Sequence, residues 1–401
     1  MIDASRRTFL KTAAAGGATA VAGITPLTFN SRRTFGQSAD GFHRVAFREL
    51  GSTGCKVSEI GFGAMNMRDP ELVRAAMDFG INYIDTAWVY MKGRNEEVVG
   101  EAIKGNRDKL FLTTKAITKN ADELRGQMET SLKRLQTDHV DLLLFHVIDS
   151  RDQVLNNDYI KVFEQAKKDG LCRFTGVSTH TNQAEVLDAA VESKFWDAAL
   201  VGYNYFSPAS VGEAITRARA AGLGIIGMKN LLNPATQPWT ELDDIRSDDD
   251  KKIMNKAQAL IKWVLDNDSI DTTIPGVTTF EQLADDVAVM SMPSRFGQRE
   301  TTIKLGESLN KDYCRGVAGC TGCQDQCPKG VCVNDINRCL AYANGYENQG
   351  LAWENYRALP RTSRIEQCSD CDECVVKCVH GLDITRNIRL ARELFAKERL
   401  V

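Results

Sequence analysis

The 401-residue chain lacks a charge excess of either sign: 50 Lys and Arg face 53 Asp and Glu, for a formal net charge of −3. That balance gives no electrostatic basis for a nucleic-acid partner or an anionic membrane. Past its first thirty residues the chain also lacks any run of the roughly 18 uncharged apolar residues that a spanning helix needs. Cysteine is nearly missing from most of it, because only Cys55 and Cys172 precede residue 314 and the other ten of the 12 fall in the last 88 residues. A disulfide-stapled secreted chain would not confine its cysteines in this way, so one terminal region has its own chemistry. What is present, 43% hydrophobic residues, suits a soluble globular protein with ample core. At roughly 150 residues per domain, the length implies two or three units unless one is a large barrel.

The N-terminus is set aside before any fold reasoning. Ser5-Arg6-Arg7-Thr8-Phe9-Leu10-Lys11 precedes a weakly apolar Ala/Gly/Thr stretch from Thr12 to Pro26, and the segment resembles a twin-arginine export signal. The resemblance implies the twin-arginine translocase as a partner and a periplasmic or membrane-associated location, with membrane contact only through an uncleaved signal. Ser31-Arg32-Arg33-Thr34-Phe35 repeats the pattern without an apolar run and is incidental, and Ala39 follows a weak cleavage site. Residues 1–40 are thus expected to be signal and linker.

From His43 onward, short apolar runs alternate with longer helical patterns, the signature of a parallel α/β architecture. Leu50 to Cys55 reads as a hairpin turn, and Ile60 to Ala64 opens the repeat. Apolar runs then end at Asp85, Lys115 and His146, spaced 30 and 31 residues apart, and further runs end near Ser178, Asn204, Lys229 and Pro275. Helices are expected at 70–79, 96–103, 121–135, 160–168, 183–192, 211–221, 251–265 and 280–289. Eight strand and helix pairs in about 250 residues fit a (β/α)8 TIM barrel over 44–295. A doubly wound open sheet is the alternative, but Gly61-Phe62-Gly63-Ala64-Met65-Asn66 holds only two of the three glycines of a dinucleotide fingerprint.

In a barrel the C-terminal strand ends converge on one face, so this spacing predicts that Asp85, Lys115 and His146 meet there, with Tyr90 on the loop after Asp85. Asp85-Thr86-Ala87-Trp88-Val89-Tyr90, Thr114-Lys115, Asp141 to His146, and Gly93-Arg94-Asn95-Glu96-Glu97-Val98-Val99-Gly100 are similar to motifs of the aldo-keto reductase family. The resemblance runs from residue 46 to 290 and implies hydride transfer between a nicotinamide nucleotide and a carbonyl. It makes Tyr90 the proton donor, Lys115 and Asp85 the groups that tune it, and His146 the residue that orients the substrate. A phenol near pKa 10 is a poor acid at neutral pH, and a neighbouring ammonium lowers it.

For the nucleotide, Ser178-Thr179 stands where the family commonly has Ser-Asn, and Leu200 where a Gln is common. Asn204, Lys229 and the turn carrying Gly276, Thr278 and Thr279 complete the expected site, and Thr278-x-x-Glu281 resembles a capping box whose helix amides would face a phosphate. Val277, Thr278 and Thr279 carry no charge, so NADP and NAD both stay open.

In the tail, Cys368-x2-Cys371-x2-Cys374-x3-Cys378 has the spacing of a bacterial ferredoxin segment, and Cys314-x5-Cys320-x2-Cys323-x3-Cys327-Pro328 is a stretched version. Crosswise sharing assigns Cys314, Cys320, Cys323 and Cys378 to one 4Fe-4S cluster and Cys368, Cys371, Cys374 and Cys327 to a second. Cys332 and Cys339 are expected to be core thiols. Zinc and disulfides are the alternatives, although four cysteines within eleven residues would strain most local disulfides. Residues 305–401 are expected to form a small, mostly helical ferredoxin-like iron-sulfur domain, similar to those carried by some aldo-keto reductases.

These features together describe an exported nicotinamide-dependent oxidoreductase acting on a small carbonyl or sugar, with one or two clusters that serve either as an electron relay to a redox partner or as a structural element. The competing reading is an electron-transfer or assembly protein on a catalytically silent barrel.

Overall fold

The structure is a computed structural model that describes residues 34–37, 44–118, 120–204, 207–231, 245–246, 252–292, 314, 322–323, 325–345, 349–368, 374–379 and 381–395. Residues 1–33, most of the expected signal and linker, lie outside the described residues, as do Cys320 and Cys371. Two compact units emerge: one of 1–203, 207–230 and 260–294, the other of 204–206, 231–259 and 295–401.

In the first unit, eight parallel strands form one sheet: β1 (Phe62–Gly63), β2 (Tyr83–Asp85), β3 (Phe111–Ala116), β4 (Val140–Phe145), β5 (Cys172–Thr179), β6 (Ala198–Gly202), β7 (Gly224–Met228) and β8 (Thr272–Thr273). Each pairs in sequence order with the next, and the long connection between β7 and β8 still returns the chain to the neighbouring position. The ring closes where Ile60 bridges Thr273 and Gly63 bridges Gly276, both parallel, with the Gly61 amide donating to the Thr273 carbonyl at 2.7 Å. A Cβ on Gly63 would sit 2.7 Å from the Pro275 carbonyl oxygen, so this seam admits no side chain there. Eight parallel strands in a closed ring correspond to the (β/α)8 barrel that the 30-residue spacing implied.

The strands are buried on both faces, which is why they read as near-continuous apolar runs. Tyr83, Phe111, Leu142, Leu144, Ala198, Leu200, Ile226 and Met228 fill the interior, and Leu50 and Val57 enter it from the N-terminal hairpin. That hairpin pairs Arg44–Glu49 with Lys56–Ser58, and the Leu50 amide donates to the Cys55 carbonyl across its turn. Arg48 anchors the hairpin: it pairs with the buried Glu59 at 2.7 Å and donates to the Leu265 and Ile270 carbonyls at 2.8 and 2.6 Å.

The outer helices are α1 (Pro70–Asp78), α2 (Arg94–Ile103), α3 (Ala121–Leu135), α4 (Asn157–Lys168), α5 (Gln183–Ser193), α6 (Ala209–Ala220), α7 (Lys256–Leu265) and α8 (Phe280–Ala288). Local sequence sets their starts. Asp69 accepts from the Glu71 amide ahead of Pro70, and Asn120 and Asn156 cap α3 and α4 in the same way. The expected helix at 251–265 begins later, because Lys252–Met254 forms an antiparallel ribbon with Ile245–Arg246 and Asn255 then accepts from the Gln258 amide.

The second unit holds that ribbon and, in its described residues past 295, the helices α9 (Val333–Leu340), α10 (Gln349–Ala358) and α11 (Ile384–Phe395). Its core holds Ile336, Cys339, Ala352, Tyr356, Ile365, Ile388 and Phe395. Tyr356 stacks on Phe395 at 4.2 Å, and the buried Asn387 donates to Asn337 at 2.6 Å.

Candidate active site

The ends of β2, β3 and β4 bring Asp85, Lys115 and His146 to one rim of the barrel, because neighbouring parallel strands put Asp85 opposite Thr113 and Lys115 opposite Leu144. Lys115 is 1% exposed, and its ammonium donates to Asp85 Oδ1 at 2.5 Å, to the Thr86 carbonyl at 2.7 Å and to the Tyr90 hydroxyl at 3.2 Å. Its three protons thus have three acceptors. The Tyr90 ring meets His146 edge-on, with centroids 5.9 Å apart.

Burial works against the Lys115 ammonium, yet Asp85 and Tyr90 outweigh it, and the net shift is upward, so the group stays charged. Burial also raises the Tyr90 phenol above its ordinary value, and Lys115 recovers only part of that rise. The tuning cation is in contact, but here it moderates an upward shift and does not bring the phenol toward neutrality. His146 is pushed well below the usual imidazole range, first by burial and then by Lys115, His180 and Lys229, so it is neutral at pH 7. Its Nδ1 is buried with no hydrogen-bond partner among the described residues, as are Asp85 Oδ2, Trp88 Nε1 and Ser178 Oγ. Buried polar atoms left without partners at one end of a barrel mark where a ligand belongs.

A second layer, unassigned from sequence, fixes the loop that carries Tyr90. Thr86 donates to Asn95 at 2.6 Å, and Asn95 donates to the Ala64 and Met67 carbonyls. Glu96, fully buried, accepts from Thr114 at 2.6 Å beside Lys115 and pairs with Arg134 at 3.2 Å. Arg134 also donates to the Trp88 carbonyl and lies over the Trp88 ring. Gly93 closes the loop at φ +94, and a side chain there would collide with the Arg134 guanidinium. The motif around Asn95 and Glu96 was visible in the sequence, but Arg134 lies 38 residues beyond Glu96 and only the fold joins them.

The expected nucleotide residues are divided. Ser178 and Thr179 end β5, both buried; Thr179 spends its hydroxyl on the Thr181 carbonyl at 2.6 Å, leaving Ser178 available. Leu200, paired with Ser178, packs into the barrel interior and offers no polar contact. Lys229 follows β7 with a positive φ of 59°. Asn204, two residues past β6, is buried and falls in the second compact unit. Gly276 lies at the seam opposite Gly63.

The expected capping box is displaced by one residue. The N-cap is Thr279, not Thr278, and its partner is Gln282, not Glu281, which is exposed in the first turn. Thr279 has the extended backbone that an N-cap requires. Gln282 reaches back to accept from the Thr278 amide at 2.9 Å and the Thr279 amide at 3.3 Å. A phosphate here would have to displace that carbonyl.

In the second unit, the described tail cysteines Cys314, Cys323, Cys327, Cys368, Cys374 and Cys378 all pack against one core. Cys327, Cys368 and Cys374 line a single cavity of about 80 Å³ with Val375, Arg389 and Arg392. This joins a thiol of the first segment to two of the second, and soft thiolates suit an iron-sulfur group. Among the described residues no three Cys, His, Asp or Glu side chains converge on a single-ion site. Cys339 is fully buried and its thiol is pushed up to about 12, chiefly by burial, which makes it a poor thiolate. Cys332 sits just before α9.

Residues 59–296 match the Aldo/keto reductase family. The chain belongs to that family of oxidoreductases. Among its relatives, a methylglyoxal reductase of Salmonella typhi is 35% identical over 133 residues, covering 31% of this chain and 49% of the relative. An aldo-keto reductase of Bacillus subtilis (strain 168) is 34% identical over 157 residues, covering 33% and 47%, and an L-galactose dehydrogenase of Arabidopsis thaliana is 25% identical over 303, covering 66% and 94%. The chain thus spans about half the length of the first two. Of solved structures, an apo aldo-keto reductase of Bacillus halodurans superimposes with TM-score 0.52 at 25% identity, covering 65% of this chain and 95% of that one. An aldo-keto reductase of Klebsiella pneumoniae in complex with NADPH gives 0.54 at 24% identity, covering 64% and 93%, and shares the fold.

Proposed function

We propose that the chain is an exported reductase that interconverts a small carbonyl or sugar and its alcohol, using NADP or NAD. The observation that supports this best is the contact of the buried Asp85–Lys115 pair with the Tyr90 hydroxyl, together with polar atoms of Ser178, Trp88 and His146 that are buried without partners among the described residues. A bound nicotinamide supplies the hydride, and NADPH in the Klebsiella pneumoniae relative makes NADP the first form to test. Ser178 would hold the carboxamide end and Lys229 the phosphate side; Leu200 and the uncharged Thr278-Thr279 turn weaken both ends of the grip.

Tyr90 Oη delivers the proton that the carbonyl oxygen needs as hydride arrives, and Lys115, charged because Asp85 faces it, steadies the phenolate left behind. Neutral His146 donates one hydrogen bond to the same oxygen and fixes the carbonyl over the phenol. Arg134 and Glu96 act through the loop: Arg134→Met is expected to lower kcat about tenfold with nucleotide affinity unchanged. An Arg134→Met enzyme with wild-type kcat removes the positioning role.

The purified full chain is assayed with NADPH and NADH against aldehydes, ketones and sugars. If neither nucleotide binds nor reduces any of them, the barrel is a silent scaffold and the reductase reading is wrong. For the tail, crosswise 4Fe-4S ligation predicts iron and acid-labile sulfide in equal amounts, at four or eight per chain for one or two clusters. Stoichiometric zinc in their place excludes clusters. Export by the twin-arginine route predicts that replacing Arg6 and Arg7 by Lys holds the folded protein inside the cell, as cell fractionation would show.

A further inference from the structure

We propose that Arg389 and Arg392 set the reduction potential of the iron-sulfur cluster at Cys327, Cys368 and Cys374, raising it by their charge. The inference rests on the iron-sulfur reading of the tail and gives two side chains of that unit a role toward the cluster. Those three thiols, expected to share one cluster with Cys371, line one cavity of about 80 Å³. Thr385, Ile388, Arg389 and Arg392 line it as well. They stand at positions i, i+3, i+4 and i+7 of α11, so a single stripe of that helix faces the thiols. Ile384, Ala391 and Phe395 of the same helix are buried in the core of the unit, which fixes the rotation of α11 about its axis and hence which side chains the thiols meet.

A thiolate-bound cube is anionic, and gaining an electron makes it more so. A cation beside it therefore favours the reduced form, as a cation beside a carboxylate favours the ionised form, and the potential rises. Pro328, Val331 and Val376 make other parts of the wall apolar, which lowers the local dielectric and strengthens the effect of each charge. Arg392 is half-buried and Arg389 exposed, so water screens Arg389 more and Arg392 has the larger share. Arg386 lies on the same helix, but it is exposed and does not line the cavity. It carries the same charge without the same access to the thiols. The carboxylates of this stretch, Asp370, Asp372, Glu373, Asp383 and Glu393, stay in place when any of these arginines is replaced, so a change in potential reads the arginine alone.

The test uses the full chain, with iron and acid-labile sulfide measured on every preparation. Dithionite supplies one electron per cluster through mediators, and electron paramagnetic resonance follows the reduced form against potential. R389Q/R392Q is expected to lower the midpoint, so that the reduced-to-oxidised ratio at the wild-type midpoint falls about tenfold, or about 59 mV for a one-electron couple. R392Q alone should give more of that shift than R389Q alone. R389K/R392K keeps both charges and should stay nearer the wild type, and R386Q should leave the midpoint where it is. Iron-free wild-type protein overturns the iron-sulfur reading and this proposal with it. In iron-loaded protein, the tuning role alone is overturned by an unmoved or raised midpoint in R389Q/R392Q, by a Lys variant that shifts as far as the Gln variant, or by an R386Q shift as large as that of the double variant. If R389Q/R392Q retains no iron, R389Q, altered at an exposed position, is read in its place, and an unmoved midpoint there overturns the role equally.

Discussion

Tyr90→Phe is expected to cost about 10²–10⁴-fold in turnover while leaving nucleotide affinity nearly unchanged. The hydroxyl is the atom that Lys115 approaches at 3.2 Å, and removing it deletes the proton source but spares the ring that packs edge-on against His146. Nucleotide titration by fluorescence and single-turnover kinetics separate the two effects; a Tyr90→Phe enzyme at wild-type rate removes the phenol from the acid role. The pH dependence follows from the direction of the shift. Reduction uses the protonated phenol, whose pKa burial raises above its ordinary value, so the proton is available through neutral pH and is lost only in the alkaline range. Alcohol oxidation uses the deprotonated form and therefore rises with pH. Lys115→Met removes the one cation that pulls this pKa down, so the alkaline rise in oxidation should move to still higher pH and turnover should fall in both directions. An unmoved oxidation profile in Lys115→Met argues against electrostatic tuning.

Arg48→Met is the largest stability effect expected, a loss of about 3–5 kcal/mol, since it takes the guanidinium from a carboxylate that stays buried. Arg48 is 6% exposed and Glu59 is fully buried, and the same guanidinium binds the Leu265 and Ile270 carbonyls between α7 and β8. The loss therefore loosens the hairpin and the last strand of the barrel together. Urea unfolding of the purified chain measures it. A change in midpoint corresponding to less than 1 kcal/mol would show that Met restores by packing what the ion pair supplied.

Strand order, the barrel and the meeting of Asp85, Lys115, Tyr90 and His146 were legible because a parallel barrel repeats one short unit, and strand spacing translates directly into position around a ring. Helix starts were nearly as legible where Asp69 and Asn120 carry local caps, whereas α4 begins at Asn157, behind the Asn156 cap and three residues before the expected 160. The box at α8 was misread by one residue because Thr278 and Thr279 are both competent caps, with Glu281 and Gln282 both three positions on; the backbone angle at Thr279 decides between them. The ribbon at 252–254 escaped because its apolar pattern is too short to separate a strand from the helix that follows.

The sequence by itself determined the repeat, the residue types at the strand ends and the clustering of cysteines, since these depend on spacing along one chain. Only the tertiary structure decided that burial outweighs Lys115 in setting the Tyr90 phenol, that the Gln282 side chain occupies the Thr278 amide in the turn expected to face a phosphate, and that Cys327 shares a cavity with Cys368 and Cys374. Each of these depends on desolvation or on contacts between distant segments, and both arise only when packing removes water and brings those segments together.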